Sequence, residues 1–234
     1  MNLLRRLVLA GADIDLPNPN GNAPLHIALI NESEDIAALL LEMNANVWAV
    51  GSRSRTALHL AADYGLLSAT QNILQLTNRS LLEVPDGDTW SPLCCCGNPY
   101  IVEMLIASGA DVHYKDKDGW TALHQAVFNG DTEAALVLVD EGANVDARTT
   151  DDGLTVIERA EDMWEWSERS PEHKVDPIAL EDAVLRRAAR EQETQKLLEE
   201  KILGRFKDKS DSLGTVEEEP ESLGGEFEMI DAES

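Results

Sequence analysis

Basic residues are scarce in this chain: 19 Lys plus Arg stand against 44 Asp plus Glu, a formal net charge of −25 over 234 residues. That deficit argues against direct binding to a phosphate backbone, which needs clustered Lys and Arg to displace counterions. Cysteine is scarcer still. The three present, Cys94, Cys95 and Cys96, are adjacent and cannot build a disulfide framework, which points to a reducing compartment. No run of 18 apolar residues occurs, so no membrane-spanning helix is expected. A secretory signal is also missing: the apolar stretch Leu3–Ala10 is interrupted by Arg5 and Arg6 and stops at Gly11-Ala12-Asp13. These absences lead to a cytoplasmic or nuclear protein. With 43% hydrophobic and 27% charged residues, the chain is not a wholly disordered polymer, and its length allows one or two compact domains.

What is present is a repeat. Ala23-Pro24-Leu25-His26, Thr56-Ala57-Leu58-His59, Ser91-Pro92-Leu93-Cys94 and Thr121-Ala122-Leu123-His124 are variants of one motif, with a degenerate fifth at Thr155-Val156-Ile157-Glu158. A second mark interlocks with it: Gly11-Ala12-Asp13, Asn44-Ala45-Asn46, Gly109-Ala110-Asp111 and Gly142-Ala143-Asn144. His26 to His59, Ala12 to Ala45 and Ala110 to Ala143 are each 33 residues. The spacing also locates irregularities. Two residues are inserted between Asn78 and Cys94, and three are missing between Cys94 and Ala110. The third repeat is therefore expected to have a short first helix and to be the weakest link.

The marks have local physical reasons. Thr or Ser before the first helix of each repeat is an N-cap, and Pro suits the first helical position. Apolar residues then recur at helical spacing in the second helix, as in Ile101, Val102, Leu105 and Ile106 or Ala135, Leu136, Leu138 and Val139. Gly109 and Gly142 are placed to end that helix in a left-handed cap. No repeat can bury its apolar face alone, so stability must come from stacking.

Period and motif together resemble the ankyrin repeat over residues 3 to about 160. The resemblance implies an all-α solenoid of helix-turn-helix repeats joined by β-hairpin fingers. The expected boundaries are a half repeat at 1–17, repeats from about 18, 51, 86 and 116, and a degenerate fifth at 149–169 that holds Met163, Trp164 and Trp166. A loop at 170–177 follows, with Asp176 and Pro177 as a helix start. The charged helix expected at 178–207 carries only a weak coiled-coil signal, and an acidic, disordered tail is expected at 208–234. The entry at Leu3–Ile14 lacks a first inner helix, so the exposed face meets a partner or the chain is a fragment of a longer array.

The resemblance also fixes how the reactive residues are read. His26, His59 and His124 recur at one motif position, and in the family this imidazole hydrogen-bonds backbone across neighbouring repeats, so they are repeat-structural rather than catalytic or metal-binding. Consecutive cysteines on a helix point about 100° apart and have no second pair to complete a zinc tetrahedron. No phosphate loop, nucleophile elbow or metalloprotease motif is present. We therefore expect no enzyme activity, no metal and no cofactor.

Ankyrin-like proteins bind other proteins with finger tips and inner-helix surfaces. Carried over by position, that footprint falls on Asn20, Asn22, Ile30 and Asn31 in repeat one, and on Arg53, Arg55, Asp63 and Tyr64 in repeat two. It continues on Asp88 and Trp90 in the third finger, on Lys117, Asp118, Trp120, Phe128 and Asn129 in repeat four, and on Asp152 and Leu154 in repeat five. Trp, Tyr and Arg dominate binding hot spots, which favours Trp90, Trp120, Tyr64, Arg53 and Arg55, the last two as a basic spot in an acidic array. The expected role is an adaptor or scaffold for a protein partner, monomeric, with 178–207 as the segment through which oligomers would form. Two alternatives stay open. The Pro/Glu/Ser-rich stretch 210–222 resembles a turnover signal, as in a cytoplasmic inhibitor of a transcription factor, and the chain also fits an ankyrin fragment of a larger regulatory protein. Glu226-Phe227-Glu228-Met229-Ile230-Asp231 alternates acidic and apolar residues as docking peptides do.

Overall fold

The computed structural model describes residues 2–166 and 175–212. The side chains of Met163, Trp164 and Trp166, the loop at 170–174 and the tail from residue 213 lie outside the described residues. The chain divides into a unit at Met1–Ala188 and a second at Ala189–Ser234. The second unit is described as helix up to Ser212.

In the first unit, α1 (Asn2–Leu9) is the lone helix of the half repeat. Helix pairs follow: α2 (Pro24–Ile30) with α3 (Glu34–Glu42), and α4 (Ala57–Asp63) with α5 (Leu67–Thr77). A 3₁₀ turn at Pro92–Cys95 then pairs with α6 (Pro99–Ala107), and α7 (Ala122–Asn129) with α8 (Thr132–Asp140). A further 3₁₀ turn at Ser52–Ser54 precedes α4, and α9 (Val156–Trp166) and α10 (Pro177–Ser212) complete the order. Two columns result. The inner one runs α2, α4, the 3₁₀ turn at Pro92–Cys95, α7 and α9, and the outer one α3, α5, α6 and α8, each element packed on the next. The fold is thus an all-α repeat solenoid.

Small residues let the inner column pack closely. Ala57, Ala61, Ala62, Ala122 and Ala126 are buried beside Leu25, Leu58, Leu93 and Leu123, one leucine per repeat. Burying each such leucine stabilises the fold by roughly 1.5–3 kcal/mol. The buried apolar cluster is continuous from Leu25 to Ala183, so the first turns of α10, through Leu180 and Ala183, belong to it. Gly109 and Gly142 have φ of 103° and 105°, the left-handed backbone that an outer helix needs to end.

The third repeat shows what its missing residues cost. Its inner element shrinks to four residues of 3₁₀ geometry, yet Leu93, Cys94, Cys95 and Cys96 are all buried and keep the column continuous. Upstream, the two inserted residues are accommodated after α5, where Asn78 and Arg79 turn left-handed and Leu81 and Leu82 fold back into the core. Among the described residues the fingers contain no strand; their pairing shortens to isolated bridges, Val50 with Thr56 and Arg148 with Thr155.

Candidate functional site

Backbone hydrogen bonds close the fingers, as from Asn18 N–H to the Asn22 carbonyl at 2.9 Å and from Asp116 N–H to the Trp120 carbonyl at 3.0 Å, and side-chain-to-backbone bonds reinforce them. In the first, Asn18 Oδ1 accepts from the amides of Asn20 and Asn22, both at 3.0 Å. In the third, Asp86 Oδ1 accepts from Asp88 and Trp90 at 2.9 and 3.0 Å. In the fourth, Asp116 Oδ1 accepts from Asp118 and Trp120 at 2.9 and 2.8 Å. Asn or Asp two and four residues ahead of the amides it captures is a compact turn device. The second finger replaces this residue with Gly51, because the space is taken: a Cβ there would lie 2.5 Å from Asn22 Oδ1. That same oxygen accepts from the Ser52 amide at 2.8 Å.

Each finger is also stitched to the next. The Gly87 amide donates to the Arg53 carbonyl, Lys117 N to Thr89 Oγ1 at 3.0 Å, and Thr150 N to the Asp118 carbonyl at 2.8 Å. The motif histidines work beneath them. His59 Nε2–H donates to the Trp90 carbonyl at 3.0 Å, while Nδ1 accepts from Thr56 Oγ1 at 2.8 Å. That pairing requires the neutral Nε2–H tautomer. His26 Nε2 bonds the Ala49 carbonyl at 3.1 Å, and His124 Nδ1 pairs with Thr121 Oγ1 at 2.8 Å. Burial lowers the pKa of all three imidazoles. All three are fully buried, and His59 holds the Trp90 backbone in place.

Between the third and fourth fingers lies a cleft of about 330 Å³ lined by Asp88, Trp90, Asp116, Lys117, Asp118, Trp120, Gln125 and Phe128. Its walls are set by specific contacts. Trp90 Nε1–H donates to Asp116 Oδ2 at 3.0 Å. The Trp120 and Phe128 rings meet edge to face, with centroids 5.6 Å apart and planes at 82°. The Arg159 guanidinium sits 4.5 Å from the Trp120 ring centroid and is itself paired with Asp152. The Asp152 carboxyl is held down to about 2, first by the Thr149 hydroxyl and also by the Leu154 amide and Arg159. Phe128 is 52% exposed, which is unusual for a phenylalanine and leaves its ring open to solvent.

The residues expected at the binding face separate accordingly. Asp88, Trp90, Lys117, Asp118, Trp120 and Phe128 converge on this one cleft. Asn129 is exposed beside it and accepts from Gln125 Nε2 at 3.2 Å. Asp152 is exposed and Leu154 half-buried on the fifth finger. Tyr64 and Arg53 are exposed on repeat two, Asn20 and Asn31 are exposed on repeat one, and Ile30 packs against the core. Asn22, by contrast, is buried at 8% and spent on the Ser52 amide.

Arg55 does not form an open basic spot with Arg53. It lies between Asp63, at 2.5 Å, and the buried carboxylate of Asp86, at 3.4 Å. Its charge is neutralised by partners 8 and 31 residues away in sequence. Sequence reading missed Asp86, Asp116, Gln125 and Arg159. The first two share a repeat position with Asn18, so a search for Asn or Asp five residues ahead of the N-cap finds them.

The three thiols are buried, and burial pushes Cys94 up to about 11 and Cys96 up to about 12, with Cys95 raised likewise despite the nearby Arg55. Thiols held protonated in this way are poor nucleophiles. Among the described residues no group of three or more His, Cys, Asp or Glu is arranged to hold a metal ion. No helix among them is long and apolar enough to cross a membrane.

Comparison with known proteins extends the repeat reading. A family model described as ankyrin repeats (3 copies) matches residues 1–83 and 93–162. The RelA-associated inhibitor of Mus musculus is 38% identical over 102 residues, 43% of this chain and 12% of that protein. The B-cell lymphoma 3 protein homolog of Mus musculus is 27% identical over 145 residues, 62% of this chain and 26% of that protein. The transient receptor potential cation channel subfamily A member 1 of Homo sapiens is 30% identical over 137 residues, 57% of this chain and 12% of that protein. In each case the chain spans about a quarter of the relative's length or less.

Proposed function

The chain belongs to the ankyrin-repeat family, whose repeats mediate protein–protein interaction, and on that premise we propose that it is an adaptor or scaffold module. Its partner docks on the fingers and inner-helix surface, centred on the cleft between fingers three and four. The observation that carries this reading is the convergence of Trp90, Trp120 and Phe128 on one open cleft of a chain with few aromatic residues. Buried aromatic anchors supply a disproportionate share of binding energy, and a cleft with a fixed floor loses little entropy on binding. No catalytic role is assigned to any residue. Beyond the cleft, the exposed Asn20, Asn31, Arg53, Tyr64 and Asn129 are the further contact positions of this reading.

The test is affinity capture with the full chain, a Trp90→Ala/Trp120→Ala variant and a Phe128→Ser variant, each checked for an unchanged helical spectrum. Loss of a common set of partners in both variants supports the reading. Identical partner lists from all three contradict it.

A second reading, a cytoplasmic or nuclear inhibitor of a transcription factor, draws on the 38% identity to the RelA-associated inhibitor. Under it a DNA-binding partner co-purifies and the complex weakens as salt rises. Recovery of only acidic or neutral partners with salt-insensitive affinity rules it out.

A further inference from the structure

The cleft combines aromatic rings with an excess of one charge. Asp88, Asp116 and Asp118 line it against a single cation, Lys117. Asp116 is occupied by Trp90 and two finger amides. Asp88 and Asp118 are exposed on the fingers, and neither forms an ion pair among the described residues. The next finger already shows how such surroundings treat a guanidinium. Arg159 lies on the Trp120 ring and is anchored by the Asp152 carboxylate, one aromatic face and one acid for one cation. The cleft offers surroundings of the same kind, with Trp90, Trp120 and Phe128 among its lining residues and the exposed Asp88 and Asp118 beside them. Ring faces attract cations, and carboxylates at the edge of a partly dry cleft add to that attraction. The surrounding array reinforces it. Residues 1–150 carry 8 basic and 19 acidic groups, net −11, a field that steers basic segments toward the surface.

We propose that the cleft between fingers three and four receives a cationic side chain, an arginine or a lysine with or without methyl groups, presented by an extended basic segment of the partner protein. This rests on the protein-recognition reading above and adds to it the chemistry of the partner. The flanking part of the segment lies over the inner-helix surface, where Gln125 and Asn129 offer amides for its backbone.

The test follows the indole resonances of the full chain labelled on its tryptophans. The probes are N-acetyl amides of arginine, trimethyl-lysine and glutamine, the last as a neutral match. The proposal requires that either cation shift the Trp90 and Trp120 indole signals and that glutamine leave them in place. It also requires that Phe128→Ala and Asp88→Asn/Asp118→Asn, each with a native melt, weaken the cation roughly threefold to thirtyfold. Equal shifts with glutamine, an unchanged affinity in Asp88→Asn/Asp118→Asn, or shifts confined to Trp48 overturn it. Protein capture separates the two ideas. Partners lost in Trp90→Ala/Trp120→Ala but kept in Asp88→Asn/Asp118→Asn leave the recognition reading standing and remove the cation. Partners kept in both remove the recognition reading itself.

Discussion

Several side chains here act on residues about one repeat away, and their contributions are measurable singly. Arg55 is the clearest case, because it neutralises Asp86, whose side chain is 1% exposed. Arg55→Ala leaves that carboxylate buried without its cation and should destabilise the chain by about 2 kcal/mol, a loss visible as a shifted urea midpoint. Thr121 caps α7 and receives the His124 imidazole in return. Thr121→Ala should cost about 1 kcal/mol, and Thr121→Ser much less. The buried imidazoles give the stability a pH dependence whose sign follows from their lowered pKa values. Below about pH 6.5 the unfolded chain binds protons that the folded chain refuses, so stability is full above that point and declines as pH falls toward 5. Denaturation at several pH values should show that decline, with a shallower slope in His59→Gln. A flat profile in the wild-type chain contradicts the neutral assignment.

At the scale of elements, the third repeat is where the solenoid should open first. Its inner element has only the four residues Pro92–Cys95, against seven in α4 and eight in α7. Stacked repeats exchange stability only with their neighbours, so a short element lowers protection locally. Hydrogen exchange should be faster at Leu93–Cys96 than at Leu58–Ala62 or Leu123–Val127, and thiol reagents should reach the cysteines only through that opening. Equal protection across the three stretches contradicts this.

The same repeat shows what was legible in the sequence. Helix pairs and their irregularities could be read because period, N-cap and glycine stop are local signals, and a three-residue deficit maps directly onto a lost turn. Asn22 and Arg55 could not be read in this way. Their sequence positions match those of contact residues in the family, whereas their roles depend on Ser52, Asp63 and Asp86 arriving from other elements. The aromatic half of the cleft was visible as Trp90, Trp120 and Phe128, but Arg159 on the Trp120 ring required the fold.

For the whole molecule, the apolar cluster that reaches Leu180 and Ala183 ties the start of α10 to the repeats. A chain ending at Trp166 should therefore melt lower than one ending at Ala188. The account's central claim is that partners dock in the cleft between fingers three and four. Site-specific photocrosslinking tests it most directly, with p-benzoylphenylalanine replacing Phe128 in the cleft or, as a control, Tyr100, which is 69% exposed on outer helix α6. The account predicts discrete crosslinked partners from position 128 and none of the same species from position 100. The same species from both positions, or from position 100 alone, would contradict it.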